Sequence, residues 1–350
     1  NNTPRFDHDL TTGESLGLLI EEAGTNYSLY SRRFDIIASG SWVPQNGGAT
    51  PTVTANTHTA PDGTSSGVLM ADTITGATGT AFNGNVVQQQ YTAASNVKHT
   101  FSLYIKLLTA TQASIYIRDG ATGSISSSNA QNTQDWQRVV VTSSAALTNG
   151  TMHSFYIGNA NGTIAVWGSQ IEDKGFATSY IPTVSSSVTR SSDQAKITGT
   201  NFTDFYNQSE GTFIVSAKPN EPNNGSNYYF IFEAANSSNF SNGMSIGKDN
   251  GNTYRFRPLK FSDLSDTSIA YTTNSFNAAI AGSGSGDGVV AFNGTITATS
   301  TGSPSGTQDH NVLHLGNRFP GSSGGHYYGT IRALKYYNKR LPNAQLQGLT

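Results

Sequence analysis

The sequence predicts an all-β protein of two β-sandwich (jelly-roll) modules in tandem, with an extended N-terminal hook and a short C-terminal helical turn. Three observations lead to this fold class. Short β-forming runs alternate with clusters of turn residues at a spacing of roughly 10 to 20 residues. No long segment has the 3.6-residue period of an amphipathic helix. A chain of 350 residues is too long to fold around one ordinary hydrophobic core and suits two domains of about 150 to 200 residues.

Composition narrows the class of partner. Charged residues make up 12% of the chain, about half of the usual ~25%, whereas Tyr and Phe number 16 and 17. Disordered chains lack such aromatics, so the sequence predicts a folded protein with a polar surface. A net charge of −2 argues against a nucleic-acid partner, and the lack of a long apolar run argues against membrane insertion. The absence of cysteine excludes thiolate nucleophiles and Cys-ligated metals.

A stretch near the middle separates the two modules. Alternation over residues 163–171 predicts a buried strand, whereas Gly175, Pro182 and the serines at 185–187 do not suit an interior strand. We therefore predict four segments. They are a hook or linker at 1–31, a jelly roll at 32–182, a connector with an entry strand at 183–210, and a second β-sandwich at 211–350.

The elements follow in order. In the hook, the short apolar run 16–20 predicts a brief strand or hook that lies on a neighbouring element. The strands predicted for the first module are 67–74, 85–90, 98–107, 113–118, 136–142, 152–157 and 163–171. Within 98–107, alternation puts Phe101, Leu103 and Ile105 on one face. Trp136 and Trp167 are assigned to the core because each lies in or beside a β-type run.

The second module repeats this pattern without repeating the sequence. Its predicted strands are 211–218, 227–233, 244–246, 253–259, 289–292, 312–315 and 329–337. The Gly/Ser-rich segment 281–288 predicts a flexible hairpin connection, and Asn293-Gly294 predicts a tight hairpin turn. Residues 341–346, with Pro342 near the start, predict one or two helical turns.

The second module resembles laminin-G-like or concanavalin-like lectin sandwiches over roughly residues 185–350. The resemblance rests on the opening strand Gly211-Thr-Phe-Ile-Val-Ser-Ala217, the hairpin Val290-Ala-Phe-Asn-Gly294, Leu313-His-Leu-Gly-Asn-Arg318, and the ending from Tyr328 through Leu349.

The first part resembles proteins of tailed-phage particles, in which two motifs enclose a jelly roll similar to carbohydrate-binding modules. The first motif comprises Pro4-Arg5-Phe6-Asp7, Gly17-Leu-Leu-Ile-Glu-Glu-Ala23, Thr25-Asn26 and Tyr30-Ser31. The second comprises Trp167, Gln170-Ile171-Glu172, residues 176–183, Val188-Thr189-Arg190 and Asp193. The resemblance implies a virion surface protein, such as a tail or head fibre, a spike or a decoration protein.

This resemblance carries the expected function and partners. We expect a non-enzymatic protein on the surface of the extracellular particle that binds host-surface polysaccharide and contacts other virion subunits. The sequence leaves open whether the chain forms a homo-oligomer, for instance a trimer. The alternative within this class is a purely structural decoration or joint protein that binds no ligand.

A sugar site on a sandwich needs an aromatic platform together with amides or charged groups that bind hydroxyls. Candidates are aromatic, amide and basic residues in or beside loops. They are Trp42, Tyr91, Asn227, Tyr228, Tyr229, Arg318, Phe319, His326, Tyr327 and Tyr328. For each aromatic, the competing interpretation is packing into a core or an interface.

Two other kinds of site are alternatives. A polysaccharide-degrading glycosidase or lyase needs two carboxyl groups in a cleft, and pairs such as Glu172 with Asp173 can be drawn without any motif that singles them out. No catalytic residue is therefore named. Because lectin-like sandwiches often carry an ion, a structural Ca²⁺ is an alternative, but the candidate aspartates lie in turns, where Asp is common anyway, and no metal ligand is assigned.

Overall fold

The computed structural model consists of 50% strand and 4% helix, which confirms the all-β fold class. It describes residues 3–9, 12–36, 41–45, 50–80, 84–131, 135–220, 228–237, 239–249, 252–258, 269–284, 286–300, 309–316 and 326–350.

The strands and helices are numbered in chain order. Strands of the first half are β1 Phe6–His8, β2 Ser15–Ile20, β3 Gly24–Asn26, β4 Val43–Gln45, β5 Thr52–His58, β6 Ala71–Thr75, β7 Val86–Thr92, β8 Thr100–Leu107, β9 Ser114–Arg118, β10 Ile125–Asn129, β11 Gln137–Thr142, β12 Met152–Gly158 and β13 Thr163–Glu172. Those of the second half are β14 Val188–Arg190, β15 Ala195–Thr198, β16 Glu210–Pro219, β17 Tyr229–Asn236, β18 Asn239–Lys248, β19 Tyr254–Arg257, β20 Phe276–Ser283, β21 Gly288–Phe292, β22 Thr295–Ser300, β23 Val312–Leu315 and β24 Gly329–Tyr337. The helices are α1 Thr200–Thr203 and α2 Asn343–Leu349.

The chain forms two compact units. Residues 24–190 make one unit, which we call the inserted unit, and residues 1–23 together with 191–350 make the other, which we call the split unit. The segment predicted as a hook at 1–31 is thus divided between the units. The connector predicted at 183–210 is divided after Arg190.

The inserted unit is a sandwich of two five-stranded antiparallel sheets. The β8 sheet has the order β11-β8-β13-β6-β5, and the β9 sheet has the order β10-β9-β12-β7-β4. Phe101, Leu103 and Ile105 point from β8 into the core, as the alternation predicts, and meet Ile117 and Phe155 of the β9 sheet. The side chains at alternate positions of β8 therefore lie on the outer face of its sheet.

A two-stranded ribbon joins the two ends of the inserted unit. Strand β14 pairs with β3, so that Val188 lies opposite Asn26 and Arg190 lies opposite Gly24. The unit therefore begins and ends at one place.

The split unit also contains two antiparallel sheets. The seven-stranded sheet has the order β1-β2-β24-β16-β20-β21-β22, and the β17 sheet has the order β15-β23-β17-β18-β19. Phe213 and Ile280 of the first sheet belong to the same buried cluster as Ile231 and Ile246 of the second. A smaller cluster joins Leu346 of α2 to Ala279 and Ala291. The C-terminal helix predicted after Pro342 therefore covers part of the seven-stranded sheet.

The N-terminal segment adds two strands to an edge of the seven-stranded sheet. Strand β2 pairs with β24, with Leu18 opposite Ile331, and β1 pairs with β2. Gly17 has φ +108°, and a Cβ at this position would lie 2.4 Å from the carbonyl oxygen of Ile331. Only glycine allows β2 to approach β24 this closely.

Candidate functional site

A cleft of about 500 Å³ opens on the inserted unit beside the outer face of the β8 sheet. Its lining residues come from β5, the loop that follows β5, β8 and the start of β11. They are Thr57, His58, Thr59, Ala60, Pro61, Gly63, Met70, Lys106 and Trp136.

Trp136 forms the aromatic wall of this cleft. The pairing of Gln137 with Ile105 places Trp136 beside Lys106, on the face opposite to the core residues Val139 and Val141. Its ring is half-buried, and its Nε1 donates a hydrogen bond to the carbonyl oxygen of Thr59 at 3.1 Å. The indole is therefore held in place while part of its surface faces the cleft.

A bulge in β5 forms the facing wall. The pairing of β5 with β6 shifts register between Thr54 and His58, and Asn56 adopts φ 56°. The buried carboxylate of Asp72 stabilises this bulge, because it accepts hydrogen bonds from the backbone N–H groups of Asn56 at 2.8 Å and Phe34 at 2.7 Å. Desolvation by burial raises the pKa of Asp72, with the two N–H donors opposing the shift. An internal carboxylate thus presents residues 57–59 to the cleft.

An aromatic cluster lies on the same face of the β8 sheet. Trp167 is 3% exposed, and its ring centroid lies 4.8 Å from that of Tyr180 and 5.6 Å from that of Tyr104. The Arg32 guanidinium stacks over Trp167 at 5.0 Å. Trp136 packs against this cluster, so the ring that lines the cleft is supported by neighbouring aromatic side chains.

This arrangement offers three kinds of contact to a ligand. The indole of Trp136 provides an apolar surface, the hydroxyls of Thr57 and Thr59 and the imidazole of His58 provide hydrogen bonds, and Lys106 provides a positive charge. An apolar face combined with several polar groups suits a ligand that is itself flat on one side and rich in hydroxyls.

Three of the residues predicted as a glycan site are core residues, and for these the prediction needs correction. Trp42 is 0% exposed and its ring lies between Phe34, at 5.2 Å, and Phe101, at 5.7 Å. Tyr229 is 1% exposed and Tyr327 is 0% exposed. The Tyr327 hydroxyl donates to the carbonyl oxygen of Thr330 at 3.0 Å. The rings fill space between the sheets, because burial of their large apolar area is favourable.

Four other predicted residues are half-buried and do not line the cleft. The ring of Tyr228 is stacked with Arg255, whose guanidinium carbon lies 4.9 Å from the ring centroid, and His326 and Tyr328 lie before β24. Tyr91 packs against Tyr27, with centroids 4.7 Å apart, and desolvation raises the pKa of its hydroxyl. The remaining predicted residues lie outside the described residues; they are Asn227, Arg318 and Phe319.

The sequence contained a signal for the residues that do line the cleft. Successive side chains of a strand point to opposite faces of the sheet. Trp136 is an odd number of residues from the core positions 139 and 141, so it lies on the other face. The same is true of Lys106 relative to Phe101, Leu103 and Ile105. The prediction that Trp136 is a core residue is therefore wrong: the residue is half-buried and lines the cleft. The contribution of residues 57–59 depends on the bulge in β5, which the sequence did not reveal.

Several motif residues that lie in the inserted unit form an internal hydrogen-bond network. Asn26, 0% exposed, donates to the carbonyl oxygens of Ser169 and Ile181 at 3.0 and 2.7 Å. Its Oδ1 accepts from the N–H groups of Ser28 at 2.9 Å and Ile171 at 3.0 Å. One amide therefore joins the start of the unit to β13 and to the segment that follows it.

Glu172 and Gln170 extend this network. Glu172 is 1% exposed and accepts from the Thr178 N–H at 2.9 Å, the Thr178 hydroxyl at 2.6 Å and Gln170 Nε2 at 2.8 Å. Gln170 Oε1 accepts from the Ile181 N–H at 2.7 Å. Desolvation raises the pKa of Glu172, although the hydrogen bonds from Thr178 and Gln170 oppose the shift. This carboxyl supports the fold and does not form an open pair with Asp173.

In the split unit, the motif residues Arg5, Glu21 and Asp193 form an ion-pair cluster. Arg5 binds Glu21 at 2.7 Å and also binds Asp193. The Glu21 N–H donates to Asp193 Oδ2 at 2.9 Å, and the Asp193 N–H donates to the Glu21 carbonyl at 2.9 Å. These contacts fix the N-terminal segment beside the chain that re-enters the unit.

A row of polar residues crosses the β17 sheet. Paired positions place Lys196, His314, Glu233, Ser245 and Arg257 side by side on five strands. Glu233 is 0% exposed and lies 3.8 Å from the Arg257 guanidinium. Burial, with a smaller contribution from Lys196, lowers the pKa of His314. Apart from Lys196, which is exposed at the sheet edge, the members of this row are buried and present little surface to a ligand.

Among the residues described, no group of three or more His, Asp or Glu side chains is placed to hold a metal ion. Two turn aspartates, Asp119 and Asp249, bind the backbone of their own turns. Asp119 accepts from the Ala121 N–H at 2.8 Å, and Asp249 accepts from the Thr253 N–H at 3.0 Å. Calcium binding therefore stays a prediction from the family resemblance. No helix within the described ranges is long and apolar enough to span a bilayer.

Comparison with known proteins gives no family model that matches and no curated relative. Solved structures do match, at low similarity. The carbohydrate-binding module of a Ruminococcus gnavus sialidase, bound to α2,3-sialyllactose, is 15% identical, and the match covers 45% of this chain and 96% of that one, with a TM-score of 0.33. Domain 4 of an arabinanase from Geobacillus stearothermophilus, in complex with arabinotriose, is 18% identical, with 40% and 66% covered and a TM-score of 0.33.

A structure of botulinum neurotoxin type C, whose cell entry depends on two ganglioside molecules, is 14% identical, with 45% of this chain and 39% of that chain covered and a TM-score of 0.36. The matched proteins thus include carbohydrate-binding, lectin-like β-sandwich domains. At this similarity the matches show nothing about the function of this chain.

Proposed function

We propose that the protein is a non-catalytic glycan-binding protein and that the cleft at Trp136 is its sugar site. One observation carries this proposal: a half-buried indole, fixed by its hydrogen bond to Thr59, lines an open cleft together with threonines, a histidine and a lysine. The apolar C–H face of a pyranose stacks on such a ring, and its hydroxyls need donors and acceptors at the ring edge.

A binding role fits this cleft better than a hydrolytic one. Glycosidases act through a pair of carboxyl groups flanking the scissile bond. The described lining of the cleft contains no Asp or Glu, and Glu172 is buried and hydrogen-bonded within the fold. These features favour binding of a glycan without hydrolysis of it.

The proposed setting is the surface of a phage particle, where the chain would contact other virion subunits. The motif resemblance supports this setting, and the motif residues Arg5, Asn26, Glu172 and Asp193 have structural roles that explain why they occur together. A virion carries many copies of a surface protein, so that weak single sites gain avidity. A structural calcium ion and a homo-oligomer, such as a trimer, stay predictions.

Binding of the purified 350-residue chain to a panel of microbial glycans and to host cells tests the proposal, with the chain displayed both singly and multivalently. Trp136→Ala should weaken binding at least about tenfold, equivalent to ~1.4 kcal/mol, whereas Trp136→Phe should keep most of it because the ring remains. Val140→Ala is a matched control, since Val140 lies on the same strand and outer face, is 39% exposed and is outside the cleft.

Two outcomes would contradict the proposal. Saturable binding that Trp136→Ala leaves unchanged would place the sugar site elsewhere. No binding by the multivalent chain would favour the purely structural decoration or joint protein, whose partners are other virion subunits.

A further inference from the structure

Lys106 differs from the other cationic residues on this face of the inserted unit. Arg32 stacks over Trp167 at 5.0 Å and lies 4.0 Å from Asp62. Arg138 donates to the Ser102 hydroxyl at 2.9 Å and stacks over Tyr104 at 5.7 Å. Both guanidinium groups therefore already have protein partners.

Within the described residues, the ammonium of Lys106 makes neither an ion pair nor a side-chain hydrogen bond. The side chain is nevertheless half-buried and lines the cleft. It lies beside Trp136 on the neighbouring strand. The described lining also contains no carboxylate that could neutralise it.

A lysine that is half-buried and lines the cleft imposes a condition on the ligand. A neutral sugar that fills the cleft removes water from the charge and returns only hydroxyl contacts, whereas an anionic group returns a charge-assisted hydrogen bond. Electrostatic attraction is also stronger beside an aromatic wall than in open water, because less solvent screens it. The cleft therefore favours anionic over neutral sugars.

We propose that the cleft selects anionic glycans, in which a carboxylate or a phosphodiester next to a sugar ring pairs with Lys106 while the ring stacks on Trp136. This inference rests on the proposed function and adds the chemical class of its ligand. A lysine ammonium is a compact point charge and pairs with either anion, so uronic-acid polysaccharides and sugar–phosphate polymers are the two sources.

Isothermal titration of the full chain with matched probes tests this inference. The anionic probes are oligogalacturonate, sialyllactose and the methyl phosphodiester of methyl glucoside. Their uncharged counterparts are methyl-esterified oligogalacturonate, lactose and methyl glucoside. We expect at least one anionic probe to bind about tenfold more tightly than its counterpart. We also expect that preference to fall as salt rises from ~0.05 to ~0.5 M. The probe class that shows the preference identifies the anion.

Variants at Lys106 assign the effect to this residue. Lys106→Met keeps the aliphatic stem and should reduce the preference for the anionic probe to less than about twofold, whereas Lys106→Arg should keep most of it. Lys98→Met is the matched control, because Lys98 is exposed in the same unit and is outside the cleft. Unchanged tryptophan fluorescence and melting temperature would show that the variants fold.

The outcomes separate this inference from the proposed function. In one outcome the charged and uncharged probes bind equally, with binding lost in Trp136→Ala but kept in Lys106→Met. That result would overturn the anion preference and leave the glycan-binding proposal intact. Anion preference that persists in Lys106→Met would overturn the role of Lys106. Failure of the folded wild type to bind any of these probes or any glycan in the broader panel would overturn both proposals.

Discussion

Replacement of Asn26 by Ala would test whether one buried amide closes the inserted unit. The side chain makes four hydrogen bonds of 2.7 to 3.0 Å and is fully buried. Alanine removes the oxygen and the NH₂ group of the side-chain amide. Two backbone carbonyl oxygens and two backbone N–H groups then lose this hydrogen-bond partner. Each lost hydrogen bond costs about 1 kcal/mol, and each buried group that stays unsatisfied costs ~1 to 3 kcal/mol.

Partial relaxation and entry of water reduce this sum, so we expect a loss of about 4 kcal/mol, near the upper end for single substitutions. For a unit of this size that corresponds to a fall in melting temperature of roughly 8 to 16 °C. All three tryptophans, at 42, 136 and 167, belong to the inserted unit. Urea unfolding followed by tryptophan fluorescence therefore reports this unit specifically.

Asn161→Ala provides the control. Asn161 makes three comparable bonds, accepting from the N–H groups of Thr111 at 2.9 Å and Gln112 at 3.4 Å and donating to the Thr111 hydroxyl at 2.7 Å. It is exposed, so water replaces the lost partners and the expected cost is under ~1 kcal/mol. Equal losses for the two variants would refute the reasoning that burial, rather than the number of bonds, makes Asn26 important.

Two further predictions concern the N-terminal strands and a buried carboxyl. Gly17→Ala should release β1 and β2 from β24 and speed proteolysis of the N-terminal segment, because its Cβ would lie 2.4 Å from the Ile331 carbonyl oxygen. Gly13→Ala, also at positive φ but with no atom within 4 Å of its Cβ, should have a much smaller effect, and equal proteolysis of the two would contradict the steric explanation. Burial raises the pKa of Glu172, so the folded state holds this proton more tightly and the group's contribution to stability falls as pH rises from ~4.3, the unfolded pKa. The stability of wild type relative to Glu172→Gln should thus increase from pH 7 to pH 4.5 in urea titrations, and a decrease would show that the sign is wrong.

Local patterns predicted many of the strands closely. Strands β23 and β24 have the predicted bounds, 312–315 and 329–337, and Asn293-Gly294 forms the turn between β21 and β22 with both residues at positive φ. These segments carry strong alternation or turn residues that admit few alternatives. Several strands were not predicted, among them β5, β10 and β20. The first two consist mainly of Thr, Ser and Asn at sheet edges, and β20 overlaps the segment that was predicted as a flexible connection.

The predicted site was less accurate than the predicted fold. An aromatic residue beside a turn has the same local sequence whether it faces solvent or a core, and only the second sheet decides between them. Tyr327 is buried because the β17 sheet packs over it, whereas Trp136 borders a cleft because β5 bulges next to it.

The sequence by itself determined the fold class, because period-two alternation and turn chemistry act over a few residues and need no partner. It also determined that the chain has no cysteine chemistry and a low fraction of charged residues. Only the tertiary structure decided that residues 1–23 complete the C-terminal module, that Asn26 and Glu172 are internal supports, and that Lys106 and Trp136 share a cleft. Each of these depends on residues that are distant in sequence, and their contacts arise from strand pairing and sheet packing, which local patterns do not encode.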